Sequence, residues 1–504
     1  MIKIKLSKKS YWENQVEAYV IFVNENFKSD VDLDFIDKEL KAGSKEILKK
    51  HKFEGKVNQS YVLTDAREGK LYHFIFVGLG KQDGEWHREL EHLRRAVGSS
   101  VSNLKRLEIK SAVLNIPQNK IFNVDSSEVV KNIVVTSHMA DYEFETFKSK
   151  KDKNKKWGCD LFLCGEDDKK ISSAIEEGEV IAESINLARN LSDLPPNIAT
   201  PTFVADEAVK VAKEVQGLKC TVFGRKEAEE YGMGGFLSVD EGSDEEGKFV
   251  VLEYSCGDKK AQTVGLVGKG VTFDSGGISL KPAEYMTGMK FDMSGASAVI
   301  GTMRTIAKLK PNINVVAACP LVENMPSGRC NKQDNIVTFM NGKTAEIINT
   351  DAEGRLILAD GLCYLEKFYK PEIMIDIATL TGACLYAIGH TYTGLMTTDK
   401  QLSEDIQNSG LSSGDLVWEL PMNEDFKNAI KSQVADISNC GSPKYKASTI
   451  TAAWFLSNFV EKSRWAHLDI AGTADGVPGV NYLGSGATGV GVRLLVDFVM
   501  NLKK

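Results

Sequence analysis

Apolar positions along the first third of the chain keep two rhythms. Residues 18–23, Ala-Tyr-Val-Ile-Phe-Val, form an unbroken run that predicts a buried strand, and apolar positions over 35–48 recur at helical spacing. Residues 61–63 and 73–77 read as paired strands joined across a polar turn. A helix over 89–104, a strand over 112–116, a helix over 127–139 and a strand over 161–164 complete an α/β domain spanning 1–165. Ile171, Ala174, Ile175, Ile181, Ile185, Ala188 and Leu191 then mark one long helix that must stop before Pro195-Pro196. The spacing predicts a linker helix over 166–194 and a second domain over 195–504.

In that second domain the strands are apolar along their whole length. They are expected at 249–254, 263–267, 313–318, 346–349, 373–377 and 465–470, with helices at 296–309, 356–368 and 451–460. Such alternation predicts an α/β fold with a central, mostly parallel mixed sheet covered by helices. Ligands bind beyond the carboxyl ends of strands in sheets of this kind. Asn341-Gly342 signals a tight hairpin feeding the strand that delivers residues 349–356.

Composition narrows the picture. Charged residues make up 26% and hydrophobic ones 42%, a usual mixture for a soluble chain. A balance of 62 basic against 69 acidic residues, net −7, argues against a dedicated nucleic-acid or anionic-membrane protein. No apolar run reaches the roughly 18 residues needed to span a bilayer, and the start, Met-Ile-Lys-Ile-Lys, lacks the apolar core of a signal peptide. Nine scattered cysteines without a CxxC or Cys/His cluster read as reduced thiols. A cytoplasmic protein with no membrane contact is expected.

Two stretches carry the chemistry. Residues 349–356, Asn-Thr-Asp-Ala-Glu-Gly-Arg-Leu, put Asp351 and Glu353 two positions apart, on one face if the backbone is extended. Two such anions repel unless a cation sits between them. The plainer reading is a solvated acidic turn opening a helix. Residues 265–277 hold Lys269 between glycines and Asp274 before Ser275-Gly276-Gly277, and Asp292 follows. The phosphate-loop spacing fails, because position 263 is Thr and position 270 is Gly, and Gly78-Leu79-Gly80 fails the dinucleotide pattern at Asp83. Asp274, Asp292, Asp351 and Glu353 are too many carboxylates for a simple acid/base pair and suit two divalent cations about 3.5–4 Å apart. Lys269 is then a countercharge or a nitrogen ligand. Without His or Cys, the set favours manganese or magnesium, with zinc accessible. Spacing alone leaves open that these acids lie on separate loops.

These motifs resemble the leucine aminopeptidase family, the hexameric cytosol aminopeptidases. The resemblance takes in 349–356, 267–277, Lys281-Pro282, 289–296, 378–383, 465–472 and Pro195-Pro196-Asn197, in family order; the N-terminal third carries no such motif. It implies a metal-dependent aminopeptidase preferring leucine and other bulky apolar residues. One metal would be held by Lys269, Asp274, Asp292 and Glu353, and a more exchangeable one by Asp274, Asp351 and Glu353, with the backbone carbonyl of Asp351. Lys281 would polarise the scissile carbonyl and Arg355 would hold bicarbonate as proton shuttle. Met289, Thr379, Leu380 and Gly382 would line the side-chain pocket, although Met289 also suits core packing. A water activated by the two metals would be the nucleophile, and a homohexamer acting on peptides is implied.

Other readings compete. His467 near Asp469 invites a nucleophilic triad, but no Gly-x-Ser-x-Gly elbow occurs and its apolar context favours a core histidine. The basic run 148–156 is the local support for an added DNA-binding role, against a solvated hairpin. A dimetal hydrolase acting on another substrate, such as a phosphoester, would use the same carboxylates.

Overall fold

The structure is a computed structural model that describes residues 1–29, 31, 33, 36–38, 43–67, 69–117, 124–149, 157–165 and 169–502. They form two compact units, Met1–Glu183 with Gly479–Gly484, and Ser184–Pro478 with Ser485–Lys504. The division falls inside one helix, Lys169–Asp193.

The first unit is built on six strands: β1 (Ile2–Ser7), β2 (Ala18–Asn24), β3 (Ser60–Arg67), β4 (Lys70–Gly80), β5 (Ser111–Asn115) and β6 (Cys159–Cys164). Their order is β1-β6-β5-β2-β4-β3, and every pair is parallel except β3 with β4. Every residue of β2 is buried. Its alternate side chains serve two cores: Val20 and Phe22 pack with Leu90, Leu93 and Val97 of helix Trp86–Arg106, while Tyr19 and Ile21 pack with Leu48 and Phe53. Within the helix expected over 35–48, residues 36–38 are helical, and a further helix runs Ser44–Lys50, where Gly43 supplies an extended N-cap and Asp37 accepts the Ser44 N–H at 2.6 Å. Residues 34, 35 and 39–42 lie outside the described residues. Of the basic run, Lys148 pairs with Glu145 at 2.8 Å, and 150–156 lie outside the described residues.

The second unit adds β7 (Leu218–Phe223), β8 (Lys248–Tyr254), β9 (Thr263–Gly268), β10 (Gly270–Asp274), β11 (Asn314–Asn324), β12 (Ile336–Thr338), β13 (Thr344–Glu346), β14 (Ile373–Ala378), β15 (Thr393–Thr397), β16 (Val417–Glu419), β17 (Ile437–Ser438) and β18 (Arg464–Asp469). Nine form the main sheet, β16-β15-β18-β14-β9-β11-β8-β7 with β10 also on β11. The centre is parallel and the flanks antiparallel, as with β15 on β18 and β8 on β11. Helices Ser294–Leu309 and Gly354–Phe368 cover it, both with long buried faces. β11 runs well past the expected end at 318. Pro320, which has no N–H to give, sits where β11 exchanges β9 for β10 as its parallel neighbour.

A strand was expected at 346–349. The strand instead ends at Glu346, after a hairpin whose Gly342 takes φ +85°. Asn439 explains the early stop. Its side chain accepts the Ile348 N–H and donates to the Asn349 carbonyl, both at 2.7 Å, replacing a strand neighbour. The helix expected over 451–460 runs Ser448–Leu456 and tightens into a 3-10 turn at Ser457–Phe459.

Candidate active site

Lys269 is the single residue between β9 and β10. Its backbone is clamped from both sides, N–H to the Ile377 carbonyl at 3.0 Å and C=O to the Ala296 N–H at 2.8 Å. The side chain, only 3% exposed, passes over the start of helix Gly354–Phe368. A Cβ on Gly354 would stand 2.3 Å from Lys269 Cε, so only glycine leaves room. The ammonium meets Asp292 at 2.8 Å, Glu353 Oε1 at 2.9 Å and the Thr379 carbonyl at 3.0 Å.

Asp274 ends β10 and Asp292 lies in the 3-10 turn Met289–Met293; both are buried. Asp351 and Glu353 arrive on a turn that opens a helix. The Asn349 side chain accepts the Asp351 N–H at 2.9 Å, and Glu353 sits at the N-cap of helix Gly354–Phe368. The turn converges them. Ligand oxygens of Asp274, Asp351 and Glu353 lie within 4.8 Å of one another. Lys281 bridges the rim, pairing with Asp274 Oδ2 at 2.7 Å and with Asp351. Asp292 joins this group through Lys269.

The charges are strongly coupled. Burial and the Glu353 carboxylate push Asp274 up to about 6, against Lys281 and Lys269. Burial raises Asp292 well above the usual carboxylate range and raises Asp351 as well. For Glu353 burial is outweighed by Lys269 and Lys281, which hold it below its ordinary value. Burial also works against both lysine ammoniums, yet the surrounding carboxylates keep them above the ordinary lysine value. Four buried or half-buried carboxylates against two ammoniums leave an excess of negative charge, which is costly in a low-dielectric site. Asp292 Oδ2 and Asp351 Oδ1 meet lysine ammoniums and no other donor. A hard, all-oxygen set with excess negative charge is suited to a divalent cation.

Arg355 is next in the chain but does not neutralise these acids. It donates to the Asn439 carbonyl at 2.6 Å, and its buried Nε has no hydrogen-bond partner. Thr379 donates to Asp292 at 2.7 Å, Met289 and Leu380 are partly exposed, and the Gly382 Cα faces open space. His467 is fully buried in β18, 2.5 Å from Asp376, whose other oxygen takes the Trp465 indole N–H at 2.8 Å. That is a core pairing inside the sheet. Asp469 instead supports the 379–382 loop, accepting from Leu380 N–H at 3.2 Å and Thr381 Oγ1 at 2.7 Å.

Two asparagines escaped the sequence reading. Asn439 holds the 348–352 turn, and Asn324 donates to Asp274 at 2.8 Å. The available signal for Asn324 was its place at the carboxyl end of an apolar strand, where α/β sheets bind ligands.

A carboxylate cage beyond the strand ends of a mixed α/β sheet defines a hydrolase of the metal-using type. The chain belongs to the cytosol aminopeptidase family: residues 186–496 match its catalytic domain and residues 20–151 its N-terminal domain. It is 40% identical to a cytosol aminopeptidase of Pseudomonas aeruginosa, over 96% of each chain. Among solved structures it is similar to a point mutant of tomato leucine aminopeptidase, with TM-score 0.89, 29% identity, and coverage of 100% of this chain and 97% of that one. It is also similar to the bottromycin maturation enzyme BotP in complex with Mn, with TM-score 0.83, 29% identity, and coverage of 96% and 99%. The protein is an aminopeptidase, a peptide hydrolase. No helix among the described residues is long and apolar enough to cross a membrane.

Proposed function

We propose that the chain removes N-terminal residues from peptides, leucine and other bulky apolar ones by preference, using two divalent metal ions. The observation that carries this is the convergence of Asp274, Asp351 and Glu353 within 4.8 Å in the catalytic domain. Lys269, Asp274, Asp292 and Glu353 would hold one ion, and Asp274, Asp351 and Glu353 a more exchangeable one. Manganese or zinc fits best, with magnesium a third choice. When bound, such ions supply Lewis acidity and lower the pKa of water into the neutral range.

The chain's own groups do the rest. Lys281, half-buried at the rim with a fixed charge, is placed to stabilise negative charge developing on the scissile carbonyl oxygen. Arg355, whose Nε lacks a partner, would hold a bicarbonate ion, and the group held there would supply acid-base chemistry. Met289, Thr379, Leu380 and the open ground at Gly382 would receive the side chain of the first residue. A shape open at Gly382 and lined by Met289 and Leu380 favours a bulky apolar group. We further assign a cytoplasmic homohexamer of two trimers, as the family resemblance implies.

The test is hydrolysis of leucyl, alanyl and glutamyl anilides by the metal-stripped protein, with and without added manganese. Activity on the leucyl compound that needs manganese and vanishes with a chelator is expected. Full activity after stripping would overturn the metal assignment, and equal rates on all three would overturn the preference.

A further inference from the structure

Asn324 lies outside the assigned roles yet touches two acids of the cage, Asp274 and Glu353. It closes β11 directly opposite Asp274, its register neighbour on parallel β10, and is 5% exposed. Its Nδ2 donates to Asp274 Oδ1 at 2.8 Å and to the Thr350 carbonyl at 3.0 Å, and reaches Glu353 Oε2 at 3.4 Å. Its backbone carbonyl accepts from Ser275 twice, N–H at 3.0 Å and Oγ at 2.7 Å. One residue therefore grips both acid-bearing segments, 274–277 and 350–353.

We propose that Asn324 is a positioning residue that fixes which carboxylate oxygens face a bound cation; the inference rests on the two-metal reading above. Asp274 Oδ1 is occupied by the Asn324 amide and by the Gly276 N–H at 2.8 Å, which turns Oδ2 toward Lys281 and the centre of the cage. Glu353 is sorted in the same way, Oε2 toward the amide and Oε1 toward Lys269. The amide orientation follows from its neighbours, since the reverse placement would set Oδ1 against three acceptors. Its chemistry is specific: aspartate of the same shape would add a fifth anion, and an apolar side chain would leave the acceptors without a donor. Hydrogen bonds of this kind orient ligands and raise metal affinity, and their loss lowers it by about 10–100-fold.

The experiment titrates manganese calorimetrically into metal-stripped full-length protein, comparing wild type with Asn324→Ala, Asn324→Leu and, as reference, Asp274→Asn. Both Asn324 variants should bind manganese about 10–100-fold more weakly when titrated well below their own unfolding temperatures, which the loss of the donor to buried acceptors should lower. At saturating manganese their KM for a leucyl anilide should stay near wild type. Should Asn324→Ala fail to fold without metal, the shape-preserving Asn324→Leu decides. Wild-type affinity in the Asn324 variants, with binding lost in Asp274→Asn, overturns the positioning role alone. Unchanged binding in Asp274→Asn overturns the two-metal reading on which it stands.

Discussion

The two sheets of this chain share an architecture and differ in what they do with polar groups at their strand ends. In the N-terminal sheet such groups bind neighbouring backbone. Asn24, ending β2, accepts the Asn26 and Lys28 N–H groups at 3.0 Å each, and Cys164, ending β6, turns its thiol to the Lys9 carbonyl. Buried charge there is paired nearby, as Arg94 is with Glu91 at 3.5 Å, while it donates to Asn132 at 2.8 Å. In the catalytic sheet the corresponding ends collect like charges. Asp274 ends β10, Asn324 ends β11 and Thr379 follows β14, and together with the 350–353 turn they concentrate acids that repel one another. The layered fold sets the address, and only the uncompensated charge marks its use.

Substitutions can break this contrast. The largest effect should come from Glu353→Ala, which removes an acid common to both proposed ion sites. Loss of several kcal/mol of transition-state stabilisation, on the order of 10³-fold or more in kcat/KM, is expected. A rate near wild type with manganese present would show the cage to be structural only. Lys281→Ala should lower kcat by about 10²–10³-fold, the usual cost of deleting one oxyanion donor. Metal content measured by atomic emission should stay unchanged; a fall would move Lys281 from carbonyl activation to maintenance of the cage.

In the other sheet, Phe22→Ala should cost about 3–5 kcal/mol of stability in urea unfolding, since Phe22 is fully buried. The folded fraction should keep the wild-type kcat. A kcat loss in fully folded protein would erase the distinction between the sheets.

A further effect, on stability alone, concerns pH. Asp360 is fully buried, and burial pushes it up to about 7, against hydrogen bonds from the Met340, Phe236 and Gly235 N–H groups. A carboxyl raised on folding holds its proton more tightly in the native state. Its contribution is therefore intact below its unfolded value near 3.8 and is lost as pH rises toward about 7. The slope is at most about 1.4 kcal/mol per pH unit. Asp360→Asn should gain on wild type over that interval and track it above; parallel curves throughout would refute the titration.

Much of this was legible in residue order. Apolar runs marked β2 and β9, and β14 but for Asp376, because strands covered on both faces need no polar alternation. All five proposed ligands were visible because acids and a lysine cluster beside glycines after strands. What escaped depended on side chains far away in sequence. The strand expected at 346–349 ends early because Asn439, some ninety residues on, captures its backbone groups. The same separation hid Asn324, whose importance lies in what it touches at Asp274 and Glu353. Neighbours brought together only by folding leave no local periodicity to read.

Gly354, over which the Lys269 side chain passes, carries a consequence for descent. With lysine present, any Cβ at 354 collides with it. A lineage that first lost Lys269 would be released from that constraint and could accept alanine at a better helix-forming position. Return would then be disfavoured, because a lysine re-entering beside alanine would have to take another path. Loss of the lysine is thus a ratchet, and descendants that have passed it should carry substitutions at both positions.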